Sequence, residues 1–479
     1  MTTTLDFTTF KNVIDNELTT TATTHHGINP ATSQPNPEVP VSTQADLNRA
    51  VDGARKAFKS WSKTSFAERR ATLNAYADAI DANAEVFSKT LTMEQGKSLA
   101  QSQAELGMAS SWIRGLSAIE IKDTILEETE DRKIIQRHVP MGVAGAIIPW
   151  NFPVLLAIGK VASALYTGNA VIVKPSPFTP YTALKLAELG TQFFPPGLFQ
   201  CLSGDDRLGP MITEHPGIDK ISFTGSCATG KRVMADCAKT LKRVTLELGG
   251  NDPAIICEDV DIDAVIPQVG ILSYLCSSQI CMMIKRLYVH EKIYDEFLEK
   301  LVAFVKAFKV GDGTEPDVFI GPVQNKMQFE KAKELFSTIK ADNLKTALGG
   351  SIEDSAGYFI HPTIIDNPPE SSRVVQEEPF APILPVLKWS DDDDVISKAN
   401  ALETGLGSSV WCADFDRATR IADQLQSGSV WVNNHFAVAP GIPFGGHKQS
   451  GLGVEWGLSG LLSYCNSQTQ WLKRTVSKV

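Results

Sequence analysis

Cysteine is scarce in this chain, with eight residues in 479. That is too few for a disulfide scaffold, and no Cys-x-x-Cys pair or Cys/His cluster has zinc-ligand spacing, so a reducing compartment and no metal are expected. Positive charge is also short. Lys plus Arg number 45 against 55 Asp plus Glu, a net charge of -10, which leaves no basic surface to displace counterions from nucleic acid. No apolar run has the length of a membrane span. Met1 to Pro30 is rich in Thr and carries Asp6, Asp15 and Glu17; it has neither the apolar stretch of a signal peptide nor the basic, acid-poor face of a transit peptide. The expectation is a cytoplasmic protein with neither nucleic acid nor a membrane as partner. What is present is globular: 43% hydrophobic and 21% charged residues exclude wholesale disorder, and the length allows two to four units at roughly 100–200 residues per domain.

From Thr43 to Leu91 the residues Ala50, Ala54, Ala57, Phe58, Trp61, Leu73, Tyr76 and Ile80 recur at three- and four-residue spacing, which predicts amphipathic helices. The first hundred or so residues read as largely helical. Between Gly142 and Gly250 the texture changes to short apolar runs closed by Gly or Pro, namely GVAGAIIPW, NAVIVKP, KISFTGS and RVTLELGG, separated by stretches of helical period. Strands alternating with helices predict βαβ units and a mostly parallel sheet. A second such alternation runs from Ala254 to Val432, with RLYVH, PILPVLKW and GSVWVNN as strands and helices over 293–308 and 327–339. The acidic run Asp391 to Asp394 reads as a helix start, where carboxylates favour the dipole.

Four local features carry chemistry. KISFTG leads through Gly225 and Ser226 into helical KRVMADCAK, so free backbone N–H groups are presented at a helix N-terminus, as a phosphate requires; the same turn could be purely structural. PWNFP fixes the Asn151 carboxamide between two prolines, either as an oxyanion donor or as an Asx turn capping the next helix. Glu247 ends an apolar strand before two glycines. It is either a base of raised pKa or the partner of a lysine. Cys281, in SSQICMMIKRLYV, is either an inert core thiol or a nucleophile. Together, a thiol, a base, an oxyanion donor and a phosphate-binding turn are the parts needed to oxidise a carbonyl through a covalent adduct.

The ordered set PWNFP, KPSP, FTGS, ELGG, QIC, EEPFAP and PFGGHKQSGLG resembles the aldehyde dehydrogenase superfamily over about residues 40–465, and within it the nonacylating NAD(P)-dependent enzymes. The resemblance implies an α/β fold in which a Rossmann-like coenzyme-binding domain (1–119 and 140–249) joins a second α/β catalytic domain (250–445). It also implies a small β oligomerisation element (120–139 and 460–479), and hence a homodimer or homotetramer. By the same resemblance Cys281 is the nucleophile, Asn151 the oxyanion donor and Glu247 the base, with Lys160 and Glu455 passing the proton to solvent. NAD or NADP would be held by Pro149, Trp150, Lys174, Ser176 and Pro177, by Gly225, Ser226 and Gly230, by Leu248 and Gly249, and by Glu378 and Phe380 at the nicotinamide end. The small-molecule aldehyde would lie among Met108, Trp112, Phe152, Ile280, Met282, Val438 and Phe444. Those side chains are mostly apolar and suit an uncharged aliphatic or aromatic aldehyde; a polar option for a semialdehyde rests on Arg114 and on His435, the latter read as a surface histidine near a loop.

Two departures stand out. Pro177 occupies a place where many NAD-preferring relatives have a Glu on the adenosine ribose, so use of both cofactors is expected. Ser278 stands where most relatives have Gly before the Gln of the nucleophile loop. If the backbone there has positive φ, a Ser costs roughly 1 kcal/mol, and the competing reading is a catalytically weak member kept as a binding or structural protein.

Overall fold

The computed structural model describes residues 5–352 and 355–474. Two parallel-centred sheets organise the chain. In the first, the strands Phe199–Cys201, Ala170–Lys174, Val143–Ile147, Lys220–Thr224 and Arg243–Glu247 lie side by side and parallel, with short antiparallel strands at both edges, Asn12–Ile14 and Glu17–Thr19 on one side and Gly451–Leu452 on the other. Helices bury four of these five strands on both faces, which is why Val143–Ile147 and Ala170–Lys174 are apolar without alternation. Chain order reverses between Val143–Ile147 and Lys220–Thr224, and a crevice for a ligand opens at such a switch point, outside the carboxyl ends of the strands.

The second sheet runs Thr346–Leu348, Thr363–Asp366, Ile383–Trp389, Ile284–His290, Asp252–Ile256, Gly407–Trp411 and Ser429–Val432, parallel throughout except for its first pair. A third, antiparallel sheet is separate: Cys465–Lys473 pairs along its whole length with Arg132–Pro140, which also pairs with Thr124–Glu128. Among the described residues no helix is long and apolar enough to cross a membrane.

The helical expectation for 43–91 corresponds to the helices Gln44–Trp61, Phe66–Ala82 and Ala84–Gln95, the first two opened by capping boxes at Thr43 and Ser65. The largely helical expectation for the first hundred or so residues is corrected before residue 43, where four strands lie between Asn12 and Pro40. These are three to six residues long, and one of them, Asn12–Ile14, joins the first sheet through the distant pair Val13 and Cys201. Periodicity over so few residues carries no signal. Asp391 caps the helix Asp392–Asn400 by accepting from Asp394 N–H, so the acidic run does open a helix.

Candidate active site

The strand Val143–Ile147 delivers Pro149, Trp150 and Asn151 to the crevice, and Pro153 then starts the helix Pro153–Tyr166. Asn151 does not cap that helix. Its first N–H groups, from Val154 and Leu155, donate to Glu105 Oε1 at 2.9 and 3.0 Å, and Glu105 is in turn paired with buried Lys97. The Asn151 carboxamide is thereby free to reach the nucleophile loop, where Nδ2 donates to the Gln279 carbonyl at 2.8 Å. An amide NH2 has two donors, so one N–H remains for an oxyanion.

The loop itself is left-handed. Cys276, Ser277 and Ser278 have φ of 53, 56 and 59°, each costing about 1 kcal/mol or more for a residue with a Cβ. Side chains hold it: Ser277 Oγ donates to the Gly321 carbonyl at 2.8 Å, Gln279 Nε2 to the Cys276 carbonyl at 3.0 Å, and Lys285 Nζ to both the carbonyl and the hydroxyl of Ser278. Cys276 is buried, with its sulfur 3.8 Å from Gln95 Oε1. Cys281 is half-buried. Burial pushes its thiol up, and the carboxylates of Glu378, Asp252 and Glu247 add to this, while Lys285 acts in the opposite direction.

Glu247 ends its strand 5% exposed, and neither carboxylate oxygen has a hydrogen-bond partner. Among the described residues no lysine forms an ion pair with it. Burial raises it well above the usual carboxylate range, Glu455 adds to the rise and Lys160 opposes it. Lys160 and Glu455 form a buried ion pair that Ser222 Oγ joins. Glu455 is fixed there by backbone bonds to Phe444 in both directions, at 2.7 and 2.8 Å.

One cavity gathers these groups. It is lined by Met108, Asn151, Phe152, Glu247, Ile280, Cys281, Met282, Val438, Phe444 and Glu455, together with Leu155, Leu156, Thr224, Phe436 and Trp456. Trp112 does not line it; its ring stands edge-on behind Trp456, 5.2 Å between centroids. No Lys or Arg lines it either. Arg114 is turned away to Asp78 and Asp81. His435 is a correction: it is buried, its ring nitrogens 2.9 Å from Ser409 Oγ and 3.0 Å from the Met282 carbonyl, and burial lowers it to about 4. It is a neutral support beneath the loop. Leu155 and Leu156 could have been found from sequence, since they follow PWNFP by one helical turn; Phe436 and Trp456 carry no local signal.

Next to this cavity lie groups that suit a dinucleotide. Ser226 caps the helix Cys227–Ala238 through Thr229 N–H and leaves its first turn partly open to solvent. Lys174 is buried, and its amine donates to the Pro175 carbonyl; burial draws it down to about 8 although Asp206 and Asp205 oppose this. Ser176 is buried and its hydroxyl accepts from Phe178 N–H, with half-buried Pro177 between them. Glu378 Oε1 is buried without a partner, and its carboxylate lies against Gly249, where a Cβ would come within 2.7 Å of Oε2. The Trp150 and Phe380 rings meet edge-to-face at 5.3 Å. Gly230 serves packing, since a Cβ there would strike Leu248 at 2.6 Å. A buried amine with one carbonyl partner and an orphaned carboxylate fit the phosphates and hydroxyls of such a cofactor.

Comparison with known proteins agrees with this geometry. The profile of the aldehyde dehydrogenase family matches residues 18–470. An aldehyde dehydrogenase, LUC3, of a Fusarium species is 41% identical over 470 residues, covering 98% of this chain and all of that one. The glutarate-semialdehyde dehydrogenase of Pseudomonas aeruginosa is 36% identical over 441 residues, 91% of each chain. The structure of a Bacillus cereus aldehyde dehydrogenase in complex with NAD+ is similar at a TM-score of 0.95 and 32% identity, over 97% of both chains.

Proposed function

The chain belongs to the aldehyde dehydrogenase family, and from that premise we propose that Cys281, Asn151 and Glu247 carry the oxidation of an uncharged aliphatic or aromatic aldehyde to its acid. The protein is an oxidoreductase that uses NAD or NADP. The observation that carries the assignment of residues is the pairing, in one apolar cavity, of a half-buried thiol with a carboxylate that nothing hydrogen-bonds.

The Cys281 thiol releases its proton to solvent, and the charge of Lys285 favours the thiolate that remains. Its sulfur adds to the aldehyde carbon, and the alkoxide is received by the free N–H of Asn151 and the backbone N–H of Cys281. The nicotinamide, when bound, supplies the acceptor for the hydride. What remains on Cys281 is a thioester. Glu247 takes a proton from water and passes it toward Lys160 and Glu455; the hydroxide adds to the thioester carbon, and the carbon–sulfur bond breaks to release the acid and the Cys281 thiolate. Lys174, Ser176 and Ser226 would hold the adenosine ribose and phosphates, and Glu378 and Phe380 the nicotinamide end, with Trp150 packed on Phe380.

Without a Lys or Arg on its wall the cavity has no partner for a second carboxylate, which favours uncharged aldehydes over semialdehydes. Following reduced nicotinamide over a panel of aldehydes tests this. Specificity constants should be highest for uncharged aliphatic or aromatic aldehydes, and a semialdehyde that exceeds them would overturn the substrate reading while leaving the reaction class intact.

The same reading divides the chain at 1–119 and 140–249 for coenzyme, 250–445 for catalysis, and 120–139 with 460–479 for assembly; residues 1–4 and 475–479 lie outside the described residues. Exposed Ile125, Leu126 and Trp471, at 53, 55 and 68%, support an assembly surface on the three-stranded sheet, and so a homodimer or homotetramer. Eight unpaired cysteines support a cytoplasmic location.

A further inference from the structure

Cys257 and Cys412 each sit one residue past the end of neighbouring parallel strands, Asp252–Ile256 and Gly407–Trp411, whose register sets Ile256 beside Trp411. The ladder continues to them, since Cys257 N–H donates to the Trp411 carbonyl at 2.9 Å. Both thiols are buried and unpaired. Asp259 lies at the surface just beyond, its carboxylate accepting from Asp414 N–H at 2.8 Å and from the Cys412 thiol at 3.4 Å. Both sulfurs and a carboxylate oxygen are within 4.8 Å of one another. Asp259 and Cys412 are 153 residues apart in sequence, so no spacing motif reveals them.

Paired thiols can close a disulfide or share a soft cation. A disulfide needs Cα atoms about 4.4–6.8 Å apart, which the strand spacing of about 4.8 Å satisfies, so the backbone alone does not choose between the two; the Asp259 carboxylate beside both sulfurs supplies a third ligand that only a cation uses. A tetrahedral cation with bonds of about 2.3 Å to sulfur and about 2.1 Å to oxygen spaces its sulfur and oxygen ligands about 3.6 Å apart, close to the 3.4 Å between Cys412 and Asp259. The neighbouring cation, Arg417, is already neutralised by Glu258 at 2.9 Å and Asp392 at 2.7 Å.

We propose that Cys257, Cys412 and Asp259 form a binding site for a thiophilic divalent cation of the Zn2+ or Cd2+ class. Each thiol releases its proton to solvent as its sulfur bonds the cation, Asp259 supplies a third bond, and water reaches the fourth position from the exposed side. The site lies at the opposite end of the Asp252–Ile256 strand from Gly250, which packs against the Cys281 carbonyl, so it is separate from the catalytic thiol. Bound cation ties together two central strands and stabilises the folded chain.

The test is a Cd2+ titration of the reduced, metal-free full-length protein carrying Cys281→Ala, which removes the reactive thiol from the signal. One equivalent should give a thiolate-to-cadmium charge-transfer band, release two protons and raise the thermal midpoint. Cys257→Ala and Cys412→Ala should each abolish the band, and Asp259→Asn should weaken binding by about tenfold or more. Where an alanine variant does not fold, as judged by circular dichroism, the corresponding serine variant replaces it. The proposal is overturned if no band forms, or if the band survives loss of either cysteine.

Discussion

The Lys285 ammonium donates both to the carbonyl of Ser278 and, at 2.9 Å, to its hydroxyl. Ser278 is the third of three consecutive left-handed residues and precedes by three residues Cys281, whose ionised form the Lys285 charge favours. A single buried cation therefore clamps a strained loop and acts electrostatically on the nucleophile that the loop carries.

Replacing Ser278 with Gly removes the Cβ penalty and keeps the carbonyl that Lys285 grips, so stability should rise by about 1 kcal/mol in denaturant unfolding. Lys285→Met should move the pH profile of Cys281 alkylation upward by about one unit or more, because the thiolate loses a cation that favours it. It should cost less activity when combined with Ser278→Gly than alone. A stability loss in Ser278→Gly would show that the serine is not strained.

Lys160 and Glu455 are both buried, so removing one partner leaves a charge uncompensated. Lys160→Met should cost about 3–5 kcal/mol, with much of that recovered in the double variant Lys160→Met/Glu455→Gln. Lys160 also lowers Glu247. Its loss therefore raises Glu247 further, and thioester hydrolysis should need a higher pH to reach half its limiting rate. An unchanged profile would remove the pair from proton release.

Pro177 sets the cofactor prediction. Substituting Glu should add a bidentate contact to the ribose and repel a 2′-phosphate, which shifts the NAD-to-NADP ratio of specificity constants by about tenfold, about 1.4 kcal/mol. A ratio that stays fixed, or moves toward NADP, means residue 177 does not face the ribose.

The buried parallel strands were legible because continuous apolar runs closed by Gly or Pro are what a sheet covered on both faces requires. The site was legible in part: PWNFP, ELGG and QIC mark ends of strands and loops where Asn151, Glu247 and Cys281 emerge. What stayed hidden depends on contacts distant in sequence. Glu105 takes over the helix cap that would otherwise have occupied Asn151, and His435 is drawn under the nucleophile loop from 153 residues away. The dithiol of Cys257 and Cys412 likewise exists only through the register of two strands.

The measurement closest to the central claim is a rapid-quench experiment on Glu247→Gln with saturating aldehyde and NAD, reading reduced nicotinamide and intact mass together. The account predicts a burst approaching one reduced nicotinamide per chain and an acyl group retained on Cys281, with steady turnover slowed by about 100-fold or more, while Cys281→Ala shows neither burst nor adduct. Turnover in Glu247→Gln at the parent rate, or an adduct in Cys281→Ala, would contradict it.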